Sequence, residues 1–161
     1  MAEVGTWEQA RAAYWHHNEI WDEEYGWQIS LAGQGEDRCA WRIGDVVYKV
    51  GKRDTANPYD HATGAEARRR GYRWAPPATT LYEVPGRWGE TVPVLAMPYM
   101  ENDGSEADPV LEAEMQAQAG PDRHGIAVDG TNYVVIAGQP VVIDCCTVRL
   151  AGEEGDTRGA A

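Results

Sequence analysis

Residues 39–50 read Cys-Ala-Trp-Arg-Ile-Gly-Asp-Val-Val-Tyr-Lys-Val, two strand-like runs joined by the dipeptide Gly44-Asp45. A glycine and an aspartate between apolar, β-branched and aromatic residues indicate a tight hairpin. The second run contains Lys49, one of only two lysines in the chain. A strand lysine usually points to solvent, and that remains the simpler interpretation. Its rarity and its apolar neighbours nevertheless make Lys49 a candidate for binding chemistry.

The segments on both sides of this hairpin predict further helices and strands. Thr6 suits the N-cap of a helix that reaches about Asn18. A second helix is expected to begin at Asn57, as N-cap, and to stop at Gly71. A third is expected from Pro109 to about Gln118. Strands are predicted at residues 27–32, 39–43, 46–50, 80–84 and 92–97.

A second hairpin is predicted towards the end of the chain. Residues 132–144 read Asn-Tyr-Val-Val-Ile-Ala-Gly-Gln-Pro-Val-Val-Ile-Asp, with two apolar runs around a turn at Gly138. Folding at this turn brings Asn132 and Asp144 to the same end of the hairpin. An amide oxygen and a carboxylate are oxygen ligands of the kind that Mg²⁺ prefers. The sequence therefore predicts a magnesium site at the open end of the hairpin.

Size, charge and cysteine content restrict the class of protein. A chain of 161 residues fits one domain with a sizeable core. The formal net charge of −12 repels nucleic-acid phosphates, so no nucleic-acid partner is expected. We expect no membrane span and no secretory signal, because no apolar run is long enough and the N-terminus lacks a basic, then apolar, segment. Three cysteines fit a reducing compartment and predict a cytoplasmic protein.

The first half of the chain resembles the small lobe of protein kinases. A Gly-x-Gly turn at Gly33 and Gly35 precedes the strand with Lys49, and a helix with carboxylates follows it. The resemblance implies that the glycines cover nucleotide phosphates and that Lys49 contacts them. Two helix carboxylates are candidates to pair with Lys49. Glu66 is preferred, because it lies ten residues before Pro76, and Asp60, an acid in the first helical turn, is the alternative.

The resemblance continues along the chain and covers about residues 27–146. Residues 94–100, Val-Leu-Ala-Met-Pro-Tyr-Met, are similar to the strand that enters the kinase hinge. Met97 would then be the gatekeeper, with the Pro98 carbonyl and the Met100 N–H facing the adenine edge. Asn132 and Asp144 match the two metal-binding residues of the family. The resemblance thus implies ATP, or another purine nucleotide, and Mg²⁺ as cofactors.

Two departures from the family concern catalysis. The kinase catalytic loop places an aspartate five residues before its asparagine, and this position is Ala127 here. Asp129 is the nearest carboxylate and is the candidate substitute, although Asp129-Gly130 is also a common turn pair. Asp144 is followed by two cysteines in place of Phe-Gly, and 17 residues remain after it, which leaves no room for a full large lobe.

These observations predict an α+β fold. We expect a kinase-like small lobe, with a five-stranded antiparallel sheet and a helix, followed by a minimal helix and β-hairpin in place of a large lobe. A single domain would span residues 1–150. Its parts are a helical segment at 1–26, the small lobe at 27–100 and a vestigial large-lobe part at 101–150, before a disordered tail at 151–161.

Three functional hypotheses follow from the sequence. The leading one is a minimal kinase-like nucleotide-binding protein, a pseudokinase with weak or no phosphotransfer. The second is an active kinase that uses Asp129 towards a small molecule or a protein. The third is an acidic protein-interaction module, of the kind that a bacterial virus directs at its host, which would have a protein partner. The sequence leaves the oligomeric state open.

Overall fold

Over the residues that it describes, the computed structural model contains three α-helices, a five-stranded antiparallel sheet and a separate two-stranded hairpin. The described residues are 2–35, 37–52, 55–120, 128, 130–146, 148–150 and 152. The predicted α+β class and the five-stranded antiparallel sheet are confirmed. None of the helices in these ranges is long and apolar enough to cross a membrane.

The helices and strands follow the predicted order. They are α1 (Trp7–His17), β1 (Ile29–Gln34), β2 (Arg38–Ile43), β3 (Val46–Gly51), α2 (Ala56–Arg69), β4 (Thr80–Pro85), β5 (Thr91–Pro98), α3 (Pro109–Ala119), β6 (Tyr133–Ile136) and β7 (Gln139–Val142). The largest error in the predicted bounds is at β1. Trp27 lies in a short 3₁₀ turn at Gly26–Gln28, so the strand begins later than predicted. A β-bulge between Leu31 and Gly33 lets the strand continue into the predicted turn.

The chain divides into two compact units. Unit 1 comprises residues 1–61 and 77–99, and unit 2 comprises residues 62–76 and 100–161. Helix α2 therefore begins in unit 1 and ends in unit 2. A single domain over residues 1–150 stays a prediction. The predicted tail at 151–161 lies outside the described residues, except for Gly152.

The sheet of unit 1 has the strand order β1-β2-β3-β5-β4, so β3 lies at its centre. Strands β2 and β3 turn at Gly44, whose φ of +61° favours glycine. Because side chains alternate along a strand, Tyr48 and Val50 lie on one face and Lys49 on the other. The face of Tyr48 forms the apolar core of unit 1 with α1. Its members are Ala10, Ala13, Tyr14, Ile43, Tyr48, Val50, Tyr82, Val84, Val92, Val94 and Ala96.

Helix α1 begins where the sequence predicts. The Thr6 hydroxyl accepts a hydrogen bond from the Gln9 N–H at 3.2 Å, which satisfies one of the free N–H groups of the first turn. The α2 N-cap prediction is wrong. Asn57 lies inside the first turn, because its buried amide donates to the Lys49 and Pro93 carbonyl oxygens at 2.8 and 3.0 Å. Asn57 thus links the start of α2 to strands β3 and β5.

Unit 2 has its own apolar core beneath the β6–β7 hairpin. Its members are Ala67, Trp74, Met115, Ala119, Val128, Val142, Cys145, Val148 and Leu150. The Val142 N–H donates to the Trp74 carbonyl at 2.9 Å, which joins the hairpin to the segment after α2. The hairpin turns at Ala137 and Gly138, both with positive φ, as in a type I′ turn.

Candidate functional site

Lys49 is buried in the middle of the unit 1 sheet. Its side chain is on the central strand β3, opposite Ala40 of β2 and Leu95 of β5, and the residue is only 7% exposed. A buried ammonium group needs an anionic partner to offset the cost of leaving water. The structure supplies Asp60 of α2, whose Oδ2 lies 3.5 Å from the Lys49 Nζ.

Asp60 also binds a second cation. Arg38, at the start of β2, places Nη1 at 2.7 Å from the same Asp60 Oδ2, and both side chains are buried. Arg38 Nη1 donates as well to the Asn57 Oδ1 at 2.9 Å. Arg38, Lys49, Asn57 and Asp60 therefore form one buried polar cluster, which we name the Asp60 cluster. Its members restrain one another, so Lys49 is held in position before any ligand arrives.

The preference for Glu66 as the partner of Lys49 is corrected by this geometry. Glu66 accepts hydrogen bonds from Arg69 at 2.5 and 2.7 Å and from Arg70 at 2.9 Å. These two guanidinium groups lower the pKa of Glu66 to about 2. Six helical residues separate Asp60 from Glu66, a rotation of about 240° around the helix axis, so the two carboxylates point in different directions. The face of α2 that carries Asp60 is therefore the face that supplies the carboxylate to Lys49.

The predicted hinge residues are at the end of β5. Met97 is buried opposite Val47, which lies two residues from Lys49 on the same face of β3. The Met97 side chain is thus a close neighbour on the Lys49 face of the sheet. Pro98 is the last residue of β5 and pairs with Val46, and Met100 follows the strand. Whether these residues face an adenine stays a prediction.

The two glycines of the predicted phosphate loop are exposed, Gly33 near the end of β1 and Gly35 in the connection to β2. Gly33 is part of β1, opposite Ala40, and the Gly35 N–H donates to the Arg38 carbonyl at 2.9 Å. A Cβ at Gly33 would come within 4 Å of no atom among the described residues. Packing within the chain therefore does not require glycine at position 33. Open space beside the backbone is compatible with a ligand lying close to it.

In unit 2, Asn132 and Asp144 do lie at the same end of the hairpin. The Asn132 carbonyl accepts from the N–H groups of Ile143 and Asp144 at 2.8 and 3.2 Å, so the two residues are neighbours in the backbone ladder. Asn132 is buried, and the Asp144 Oδ1 accepts from the Cys146 N–H at 3.0 Å. The predicted arrangement of the two residues is confirmed, whereas metal binding stays a prediction. The described residues contain no group of three or more histidine, cysteine and acidic side chains suited to a metal.

The predicted catalytic residue Asp129 lies outside the described residues, as does Ala127 at the position where kinases have their aspartate. Arg38 and Asn57 are the two members of the Asp60 cluster that the sequence did not indicate. Strand alternation could have identified Arg38, because in the β2–β3 hairpin it falls on the same face as Lys49. No protein-family model and no curated protein matches this chain.

Proposed function

We propose that this chain is a kinase-like protein that binds a purine nucleoside triphosphate and has weak or no phosphotransfer activity. One observation carries the proposal: Lys49 is buried on the central strand and is held by a carboxylate of the helix that follows it. In protein kinases, a lysine of the third strand contacts the nucleotide phosphates and pairs with a helix carboxylate. Asp60 takes that role here.

The order of elements in unit 1 supports the same proposal. Three antiparallel strands are followed by a helix and two further strands, and Lys49 is on the third strand. Gly33, near the end of β1, and Gly35, just after it, are exposed where the resemblance requires a phosphate loop. A lysine acts towards phosphate as a point charge, so its position matters more than a matched pair of donors.

Magnesium binding is proposed for the open end of the hairpin in unit 2. Asn132 and Asp144 fit this ion, because the β6–β7 ladder fixes their backbones side by side and both side chains carry hard oxygen donors. Mg²⁺ supplies charge neutralisation for nucleotide phosphates. Weak phosphotransfer is proposed because alanine at position 127 has no group that orients a substrate hydroxyl.

The chain offers a matched pair of lysines for the test. Calorimetry with ATP, with and without Mg²⁺, is expected to show binding by the wild type. Lys49→Met should weaken it by about tenfold or more, since an ion pair with phosphate is lost. Lys52→Met, which removes the only other lysine, should leave the affinity unchanged, because Lys52 is exposed.

Stability must be followed alongside affinity, because Lys49 is buried. A Lys49→Met protein that keeps the wild-type circular dichroism spectrum but loses ATP binding supports the proposal. Absence of ATP binding by well-folded wild type at millimolar nucleotide would refute it. Asn132→Ala and Asp144→Ala test the metal separately, since each should abolish the Mg²⁺ binding that calorimetry detects without nucleotide.

Active phosphotransfer through Asp129 remains the alternative at the same nucleotide site. Turnover of ATP by the wild type, lost in Asp129→Ala with ATP affinity retained, would favour the active enzyme. Turnover that is undetectable in the wild type favours the pseudokinase.

A further inference from the structure

Unit 1 contains an open cavity that the proposed nucleotide site does not use. It lies between the end of α1, the segment after it and strands β1 and β2, with a volume of about 550 Å³. The lining that matters chemically is Trp21, Trp41, His16, His17, Glu19 and Leu31. Small-molecule sites have volumes of roughly 300–1,000 Å³ and combine apolar walls with few polar groups. The size and composition of this cavity fit that class.

One wall is an aromatic group built around Trp41. The Trp41 indole N–H donates to the Nδ1 of His17 at 3.3 Å, and the His16 ring lies edge-on to Trp41 with centroids 4.7 Å apart. A His17 that accepts at Nδ1 is the neutral tautomer. Burial, followed by the charges of Lys52 and His16, lowers the pKa of His17, which favours the same neutral form. The wall is therefore aromatic and uncharged at His17.

Trp21 also lines the cavity and is 51% exposed. A Cβ on Gly26 would lie 2.8 Å from the Trp21 ring, so the ring packs directly on the glycine backbone. Trp27 contacts Trp21 edge-on, with centroids 4.8 Å apart. A large apolar ring that is exposed and already packed on its own chain is suited to contact a ligand, because less side-chain freedom is lost on binding.

Glu19 supplies a negative charge at a backbone position that normally takes glycine. Helix α1 ends in a Schellman motif, in which Glu19 N–H donates to His16 and Ile20 N–H donates to Trp15. Glu19 occupies the left-handed position of this motif, with φ of +62°. A glutamate there is strained, and strain of this kind collects at ligand sites. The acidic residues Asp22, Glu23 and Glu24 follow nearby in the chain and attract cations to this region.

We propose that this cavity binds a small-molecule cation with a trimethylammonium headgroup. Trp21 and Trp41 would provide aromatic faces, and Glu19 the counter-charge. Aromatic walls attract quaternary ammonium groups through the negative potential of their faces, and this attraction does not need hydrogen-bond donors on the ligand. Among the described lining residues, Glu19 is the one acidic side chain, and its carboxylate favours a ligand of positive charge. Lys52 acts on His17 but is not part of the lining.

The decisive probes are choline and its uncharged isostere 3,3-dimethylbutan-1-ol. They have nearly the same shape, so a difference in binding reports the charge. Titration of the full chain, followed by the indole N–H signals in NMR spectra, should show choline binding about tenfold tighter than the alcohol and shifting the Trp41 signal. Equal affinity of the two probes, or no shift with either, would overturn the proposal.

Variants separate the cavity from nonspecific contact with other tryptophans. Trp21→Leu and Glu19→Gln should each weaken choline binding several-fold. Trp88→Leu should not, because Trp88 is an exposed residue of the β4–β5 turn that does not line the cavity. Loss of binding in Trp88→Leu to the same extent as in Trp21→Leu would contradict the assignment.

Two further measurements identify the molecule that carries the trimethylammonium group and separate choline binding from nucleotide binding. A capped peptide with trimethyllysine that binds tenfold tighter than choline would identify a protein-borne headgroup and overturn the small-molecule assignment. Choline binding and ATP binding are measured separately on the wild type, so failure of one proposal is distinguishable from failure of the other.

Discussion

Asp60 is the residue on which the electrostatics of unit 1 depend. A single oxygen of this buried carboxylate lies within ion-pair distance of both Arg38 and Lys49. Removing one member of a buried ion pair leaves the remaining charge in a medium of low polarity, and that charge is costly. Glu66, in contrast, pairs with arginines on a face that water reaches.

Substitution of the two carboxylates should therefore have very different effects. Asp60→Ala is expected to lower the free energy of unfolding by about 3–5 kcal/mol, because two buried cations lose a shared anion. Glu66→Ala should change it little, since exposed ion pairs contribute little to stability. Urea denaturation of the two variants makes the comparison. Similar losses of unfolding free energy in both variants would show that the buried ion pairs of the Asp60 cluster do not contribute more to stability than the exposed pairs of Glu66.

Substitution of Glu19 by glycine is expected to have the opposite effect, a gain in stability. Glu19→Gly should raise the free energy of unfolding by about 1 kcal/mol, because glycine adopts the left-handed conformation without a Cβ clash. Glu19→Ala is the control, since it removes the carboxylate but keeps the strain, and it should not stabilise the chain. Chemical denaturation measures both. If the two variants have equal stability, relief of backbone strain is not the cause.

Individual site residues were only partly predictable from sequence. Lys49 was identifiable because a rare lysine interrupts an apolar strand. The choice between Asp60 and Glu66 failed because it relied on distance to a proline, whereas the rotation of α2 about its axis decides which carboxylate reaches the sheet. Asn57 was missed for a similar reason: its amide binds strand carbonyls that are distant in sequence, and these outweigh its preference for capping.

At the scale of elements, the β6–β7 hairpin is held by the segment before α3. The Asp103 Oδ2 accepts from the Ala137 N–H at 2.7 Å, and the Ser105 hydroxyl accepts from the Gly138 N–H at 3.0 Å. The Asn102 Oδ1 accepts from the Val135 N–H at 2.7 Å. These contacts satisfy backbone groups of the turn and of β6, and they support the unusual positive φ of Ala137.

Asp103 gives the hairpin a dependence on pH. Hydrogen bonds from Ser105 and Ala137 lower the pKa of Asp103 to about 2, from an ordinary value of 3.8. A carboxylate with a lowered pKa stabilises the fold above about pH 4, and its contribution is lost as the pH falls towards 2. The stability difference between wild type and Asp103→Asn should thus shrink over this range. Measurements of the unfolding free energy of both proteins between pH 4 and pH 2 test this prediction. A difference that stays constant over this range would show that the Asp103 carboxylate does not stabilise the hairpin.

Element types and order were predictable because turns and apolar periods are local signals. Every predicted helix and strand is present, and the Gly44 and Gly138 turns are where the sequence places them. The end of β1 was wrong because a bulge is a property of strand pairing, which a single strand does not encode, and its start was wrong because residues 26–28 form a 3₁₀ turn. The assignment of residues 62–76 to unit 2 also depends on contacts between distant segments, and no local pattern predicts it.

At the scale of the whole molecule, the net charge of −12 makes stability depend on the salt concentration. Like charges repel in the folded state, and salt screens them over about 10 Å at 0.1 M. The melting temperature at pH 7 is therefore expected to rise as sodium chloride increases from 10 to about 300 mM. The control is the same series near the isoelectric point, about 4.6, where the effect should disappear. An equal salt effect at both values of pH would exclude self-repulsion as its cause.

The division of unit 2 between residues 62–76 and 100–161 has a consequence for biosynthesis. Trp74 is almost fully buried and its carbonyl accepts from the N–H of Val142, which is made 68 residues later. At about 5–20 residues per second, the ribosome needs about 3–14 seconds to make that partner. During this interval the large ring of Trp74 lacks the hairpin that later covers it. The core of unit 2 therefore cannot close around Trp74 until the end of the chain has been made.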